Sequence, residues 1–434
     1  MKDPIDSHWA LPMKKSVFFI SSIMNGLCRS HLSLTQTPTP LRKVKGERRL
    51  VLRKLKLYSV VFFDYTDSEN TNAQQARNGK DIQGIHWERT NYRSREIFRQ
   101  HRLERLRNDE AQPLLVEQAR ENYSGMLWST SRHDLYFATR YKIGRWNALN
   151  PRTSSQVLDL KRTVVPSVEH PRSHMEGFNK TSVQAMALGH RLLIVGGPEG
   201  ELICKHLDRP GVSFCLRSAD REKINAIEIY RRPTPNSEAI HFMASNRDGS
   251  VKVFDVQTLQ FSNFQFPWPV NHASSRPDDG RQLVVVGDHP EGRLVDSGTG
   301  LTIQCFRGHF GYSCSSAWHP DGRRFATGNR DRTCRIWDVR NLSQCVAALK
   351  GNVRAISSIC FTGDGNFMAM SEDVDFVHVY DLRTAFMKEQ EINFFGHVSG
   401  LSFSPDREYL FIGVSMDTFP TLLLYKRRRN YHHL

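Results

Sequence analysis

The sequence lacks the motifs of the common enzyme classes. It contains no G-x-x-x-x-G-K-S/T phosphate loop, no G-x-S-x-G nucleophile elbow and no H-E-x-x-H zinc motif. It also lacks a long apolar run, since the longest, residues 17–24, is about half of the roughly 20 residues that a bilayer-spanning helix needs. These absences argue against an enzyme and against a membrane protein.

Paired cysteines are absent as well. The eight cysteines form no C-x-x-C pair and no Cys/His spacing typical of zinc, and most lie in strand-like apolar runs such as Ile359-Cys360-Phe361. We therefore expect free thiols in a reducing compartment, the nucleus and/or the cytoplasm, with no metal and no cofactor. His432 and His433 at the C-terminus are interpreted as a solvated tail.

What the sequence does contain is an internal repeat. The clearest unit starts at Gly308-His309, continues through Ala317-Trp318 and the turn His319–Gly322, and ends at Trp337-Asp338. A Gly-His start and a Trp-Asp end around short alternating strands are the signature of a WD repeat. On these residues the chain resembles the WD-repeat (transducin-like) family.

Weaker copies of this unit recur along the chain at about the spacing of a WD blade. Unit ends include Val253-Phe254-Asp255 and Val379-Tyr380-Asp381, and a last unit starts at Gly396-His397. Seven units predict an all-β fold, a seven-bladed WD40 β-propeller over residues 112–430. Because the last unit ends near Tyr425, the ring should be closed by a strand from the N-terminal side, with Leu114-Leu115-Val116 as the candidate.

Four residues of the strongest unit match the hydrogen-bonded tetrad of the WD family. They are His309, Thr327, Asp331 and Trp337, with Asp331 six residues and Thr327 ten residues before the tryptophan. A His–Asp–Thr set could also suggest hydrolysis, with Thr327 as nucleophile. Because the spacing is that of the repeat and the indole completes the network, we interpret the set as structural.

Two consecutive units end in a WDxR-type sequence. This resembles the docking box of substrate receptors of cullin-4 ubiquitin ligases, and the resemblance implies contact with the ligase adaptor. The matching residues in this chain are Trp337, Asp338 and Arg340 in one unit and Tyr380, Asp381 and Arg383 in the next.

The N-terminal region differs from the repeats. The net charge is +15, and residues 1–110 hold 21 Lys and Arg against 12 Asp and Glu. Residues 1–60 are predicted to be disordered and basic, with a cationic run that would suit nuclear import or phosphate contact. That run comprises Arg42, Lys43, Lys45, Arg48, Arg49, Arg53, Lys54 and Lys56.

Residues 61–111 form a predicted arm with a helix at about 94–108. The stretch Gly84-Ile85-His86-Trp87 resembles the arm before the propeller in a group of largely uncharacterised plant and fungal WD-repeat proteins. Those arms read Gly-Ile-Pro-Trp, so His86 departs from the pattern. The resemblance carries over no activity.

Three functions remain open at this point. The first is a non-enzymatic scaffold that binds protein partners through variable loops. The second is a substrate receptor of a cullin-4 type ubiquitin ligase that uses Arg340 and Arg383. The third is a nucleic-acid-associated protein that uses the basic arm, although acidic residues of the arm dilute its positive field.

Overall fold

A computed structural model gives the arrangement of the chain. It describes residues 8–10, 18–19, 74–75, 78, 80–85, 87, 92, 94–111, 126–150, 154–218, 220–234, 237–415 and 420–428. The chain divides into two compact units, one of residues 14–115 and one of residues 1–13 together with 116–434. No helix among the described residues is long and apolar enough to cross a membrane.

The smaller unit contains the short strand β2 (Phe18–Phe19) and the helix α1 (Arg95–Ala111). The predicted helix at 94–108 is therefore confirmed. It starts where the Ser94 hydroxyl accepts a hydrogen bond from the Ile97 backbone N–H at 3.2 Å, the usual role of an N-cap serine. Asp81 anchors the helix, because its carboxylate accepts from the Trp87 indole at 2.9 Å and from the Arg95 guanidinium at 2.5 Å.

In the larger unit, the regular elements of the described residues are β-strands together with the 3-10 turn Leu382–Thr384. Ten of its strands build the first sheets: β3 (Leu127–Ser129), β4 (Asp134–Thr139), β5 (Lys142–Asn147), β6 (Ser154–Asp159); β7 (Ala185–Gly189), β8 (Leu192–Gly196), β9 (Glu201–His206), β10 (Phe214–Arg217); β11 (Ile224–Thr234) and β12 (Ser237–Asn246). Ten more follow: β13 (Ser250–Asp255), β14 (Phe261–Gln265); β15 (Val270–Ser275), β16 (Gln282–Gly287), β17 (His289–Asp296), β18 (Thr302–Phe306); β19 (Ser313–Trp318), β20 (Arg324–Asn329), β21 (Thr333–Asp338) and β22 (Ala347–Lys350).

The last sheet contains β1 (His8–Ala10), β23 (Ile356–Phe361), β24 (Phe367–Glu372), β25 (Val374–Asp381), β26 (Lys388–Phe403), β27 (Tyr409–Ser415) and β28 (Pro420–Arg428). Strands that follow each other in the chain pair antiparallel within each sheet. First strands of successive sheets are neighbours, and this order runs from β3 through β7, β11, β15, β19, β23 and the end of β26 back to β3. The architecture is a closed all-β propeller.

Burial of both sheet faces explains the apolar runs of the sequence. The stretch Leu192-Leu193-Ile194-Val195 lies in β8 and Leu283–Val286 lies in β16, and every side chain in both runs is buried. A strand covered on both faces reads as a continuous apolar run instead of an alternating one. The second strands of these sheets are therefore the parts of the fold that the sequence shows most directly.

The prediction of seven separate blades is wrong in its count, because the described strands form six sheets. The difference arises at Gly396-His397, where the sequence predicted the start of a new unit. The strand β26 passes through this point without interruption and is 16 residues long in total. Its first part pairs with β25 and its last part with β27, so two successive repeat units share one strand and merge into one sheet.

The two ends of the propeller meet through β1 and β28. The backbone of β1 pairs antiparallel with β28, which places Trp9 opposite Arg427. The segment predicted to close the ring, Leu114-Leu115-Val116, lies outside the described residues. The first and last sheets are also joined side to side, since the Ser129 N–H donates to the Ser402 hydroxyl at 2.9 Å.

Candidate interaction surfaces

The four residues of the predicted tetrad come together inside the fifth sheet. The Trp337 indole N–H donates to the Thr327 hydroxyl at 2.8 Å, and that hydroxyl lies 2.9 Å from Nε2 of His309. Nδ1 of His309 lies 2.9 Å from a carboxylate oxygen of Asp331. One proton arrangement satisfies every atom: the Thr hydroxyl donates to Nε2 and Nδ1–H donates to the carboxylate.

Burial and charge show what this network can do chemically. Desolvation opposes ionisation of Asp331, but hydrogen bonds from His309 and Thr333 hold the pKa of its carboxyl far below the ordinary value. Thr327 is 0% exposed, and its hydroxyl is engaged by two partners. That oxygen is closed to solvent, and its hydrogen bond with the Trp337 indole joins β20 to β21.

A second buried polar network, which sequence reasoning missed, lies in the last sheet. The His378 imidazole lies between two carboxylates, with Nε2 3.0 Å from Glu372 and Nδ1 2.6 Å from Glu389. The completely buried Glu372 also accepts hydrogen bonds from three backbone N–H groups, those of Asn352, Val353 and Arg354, at 2.6–2.7 Å. This unit does not have the tetrad, because Met370 and Val374 occupy the positions that correspond to Thr327 and Asp331.

The two WDxR-type endings adopt the same local geometry. The Asp338 carboxylate accepts from the backbone N–H of Arg340 at 3.0 Å and from its guanidinium at 2.5–3.2 Å. Asp381 binds Arg383 in the same way, at 3.1 Å for the backbone and 2.6–2.8 Å for the guanidinium. The arginine hydrogen bond lowers the pKa of Asp338 to about 2, so the pair is ionised throughout the physiological range.

The aromatic members of the two endings are both buried. Trp337 is 0% exposed and Tyr380 is 3% exposed, so each ending presents only its charged pair to solvent. The basic run from Arg42 to Lys56 lies outside the described residues, as do His86, His432 and His433.

The described cysteines are free thiols. Cys204, Cys215 and Cys334 are buried, and desolvation raises the pKa of Cys204 to about 12. A thiol with so high a pKa is a poor nucleophile and a poor metal ligand. Among the described residues, no group of three or more His, Cys, Asp or Glu side chains could hold a metal ion.

Two segments match the family model for the WD domain, G-beta repeat, over residues 300–338 and 388–419. Similar curated proteins include eukaryotic translation initiation factor 3 subunit I of Nematostella vectensis, 28% identical over 34% of this chain and 48% of that protein. Pre-mRNA-processing factor 19 of Oryza sativa subsp. japonica is 36% identical over 47% of this chain and 39% of its own length. A guanine nucleotide-binding protein subunit beta of Solanum tuberosum is 27% identical over 32% of this chain and 40% of its own length.

The chain thus spans less than half of the length of the curated relatives that it matches. Among solved structures, a chain of the "Crystal Structure of Mitotic Checkpoint Complex" aligns with a TM-score of 0.56 at 15% identity, covering 70% of this chain and 87% of that one. That likeness supports the propeller fold. The repeat signature, the closed ring of sheets and the two matching segments agree, and on these features the chain is similar to the WD-repeat proteins.

Proposed function

We propose that this chain is a non-enzymatic scaffold that binds protein partners through the loops of its propeller. The proposal rests on the observation that the residues resembling a catalytic set are buried and hydrogen-bonded to one another. The hydroxyl of Thr327 and the imidazole of His309 are committed to the tetrad, and their side chains are buried. Large apolar side chains are instead exposed on loops, with Phe310 89% and Met387 86% accessible. Apolar side chains that project from loops to this degree are available to contact a partner.

The relatives are consistent with this proposal, since two are named as subunits and the solved neighbour is named as a complex. Quantitative affinity capture with mass spectrometry on the intact chain tests it. Phe310→Ser and Met387→Ser are suitable comparison variants, because they change surface side chains and leave the tetrad intact. We expect partners that one of the variants loses selectively; a chain that recovers nothing beyond a tag-only control would contradict the scaffold role.

We propose docking to a cullin-4 ligase adaptor as a second candidate. It is favoured by the repeated Asp–Arg geometry at Arg340 and Arg383, which come from consecutive repeat units. Co-purification of the adaptor with the intact chain tests it, with the double substitution Arg340→Ala and Arg383→Ala as the key variant. Arg281→Ala, which removes an exposed arginine from another sheet, serves as the control. Equal adaptor recovery by all three proteins would eliminate this candidate.

A further inference from the structure

Two neighbouring connections lie at the same end of the propeller, the one between β21 and β22 and the one between β25 and β26. The turn between β19 and β20 meets the turn between β23 and β24, because Nε2 of His319 lies 2.9 Å from the Gly365 carbonyl oxygen. These two turns therefore lie at the same end of the propeller. In an antiparallel sheet of four strands in chain order, the first and third turns lie at the same end. Arg340 and Val346 of one loop therefore share a side with Arg383 and Met387 of the other. These four residues are called the Met387 surface below.

Apolar side chains of the Met387 surface are unusually accessible. Met387 is 86% exposed and Val346 is 60% exposed. Val346 also lines an open pocket of about 380 Å³, together with Arg340 and Cys345. The exposed apolar side chain can contact an apolar group of a partner, and the adjacent pocket can accept a side chain of that partner.

The backbone around Met387 is held in an uncommon conformation. Ala385 and Phe386 have φ values of 52° and 67°, in the left-handed region that costs free energy for residues other than glycine. Phe386 turns inward and packs against the apolar core cluster, which leaves Met387 pointing outward. The Thr384 hydroxyl fixes the loop, donating to the Asp381 carbonyl at 2.8 Å and accepting from the Lys388 N–H at 3.1 Å. Met387 is thus presented from an ordered loop, which reduces the entropy lost on binding.

The charge that faces solvent on this surface is positive. The Arg340 side chain is 71% exposed, whereas that of its partner Asp338 is only 17% exposed. The Arg383 side chain is 43% exposed and that of Asp381 is 10% exposed. Each carboxylate therefore lies beneath its arginine, and an approaching molecule meets the guanidinium groups first. Charge complementarity calls for carboxylates on the partner.

We propose that the Met387 surface docks an acidic protein segment that carries an apolar side chain. The apolar side chain contacts Met387 and Val346, and flanking carboxylates bind Arg340 and Arg383. This inference rests on the proposed scaffold function and adds the chemistry of the partner. It does not depend on the cullin-4 adaptor.

Selection of short random peptides displayed on phage, with the intact protein as bait, tests the proposal. We expect enriched peptides to combine acidic residues with one large apolar residue. Their affinities, measured by fluorescence polarisation, should fall about tenfold for Met387→Ser, as for the truncation of a binding hot spot. Arg340→Ala should also weaken binding, and the salt dependence should become smaller because one charge contact is lost.

Phe310→Ser is the matched control. Phe310 is 89% exposed but lies in the connection between sheets, at the opposite end of the strands from Met387. Enrichment of basic peptides, or equal affinity of the Met387→Ser and wild-type proteins, would overturn the Met387 surface. If peptide affinity falls for Phe310→Ser and not for Met387→Ser, the scaffold function stands and the proposed binding site at the Met387 surface is wrong. If no peptide is enriched and affinity capture recovers no partner, both proposals fail.

Discussion

The histidine of the second polar network should make the stability of the propeller depend on pH. His378 is almost completely buried, with 1% of its side chain exposed, and contacts both Glu372 and Glu389. Desolvation by burial disfavours its protonated form. The two carboxylates outweigh that effect and raise the pKa of His378 to about 9.

The sign of the effect follows from proton linkage. The folded protein holds the proton on His378 more tightly than the unfolded chain, whose imidazole has the ordinary pKa of 6.5. The stabilisation is complete below this ordinary value and is lost as the pH rises through about 9. A pKa elevation of this size corresponds to about 3 kcal/mol in the free energy of unfolding.

Urea unfolding at about pH 6 and about pH 9.5 measures this term. The wild-type protein should lose about 2–3 kcal/mol more over this interval than His378→Gln, which should be less stable at the lower pH. Met387→Ser, which changes an exposed side chain without a titratable group, should follow the wild-type curve. Identical pH dependence in the wild-type and His378→Gln proteins would refute the reasoning.

Three further predictions concern the tetrad, a turn and the ring closure. Trp337→Phe should lower the free energy of unfolding by about 1–2 kcal/mol, measured by denaturant titration, because the buried Thr327 hydroxyl loses its donor; an unchanged midpoint would contradict this. Gly365→Ala should lower Tm, since φ is +68° and the new Cβ would lie 2.4 Å from His319; no change in Tm would show that the turn can rearrange. Deletion of residues 1–13 should remove the backbone pairing of β1 with β28, lower Tm and promote association seen by light scattering; a monomer of wild-type Tm would show that this pairing does not stabilise the propeller.

The tetrad could be predicted from the sequence because its members keep a fixed spacing within one repeat. Asp331 and Thr327 are placed relative to Trp337 by a single hairpin, so local register alone brings them together. The same holds for Asp338 and Arg340, which are two residues apart and interact within one turn. His309 is the member of the tetrad that comes from outside this hairpin, in the segment before β19.

The network around His378 could not be found in this way. Glu372 and Glu389 lie outside the tetrad positions, and the three side chains come from three different strands, β24, β25 and β26. A signal was nevertheless present, because a histidine inside the apolar run Phe376–Tyr380 needs a buried partner. Which residue would supply that partner depended on the pairing of the strands.

The sequence by itself determined the class of fold, the repeat unit, the tetrad residues of the unit that starts at Gly308, and the helix α1. These features follow from side-chain periodicity, turn residues and short spacings, which act between neighbours in the chain. The tertiary structure decided that two units merge through β26, that β1 pairs with β28 and that Met387 shares a side with Arg340. Those outcomes depend on contacts between distant segments, for which a single sequence carries no local signal.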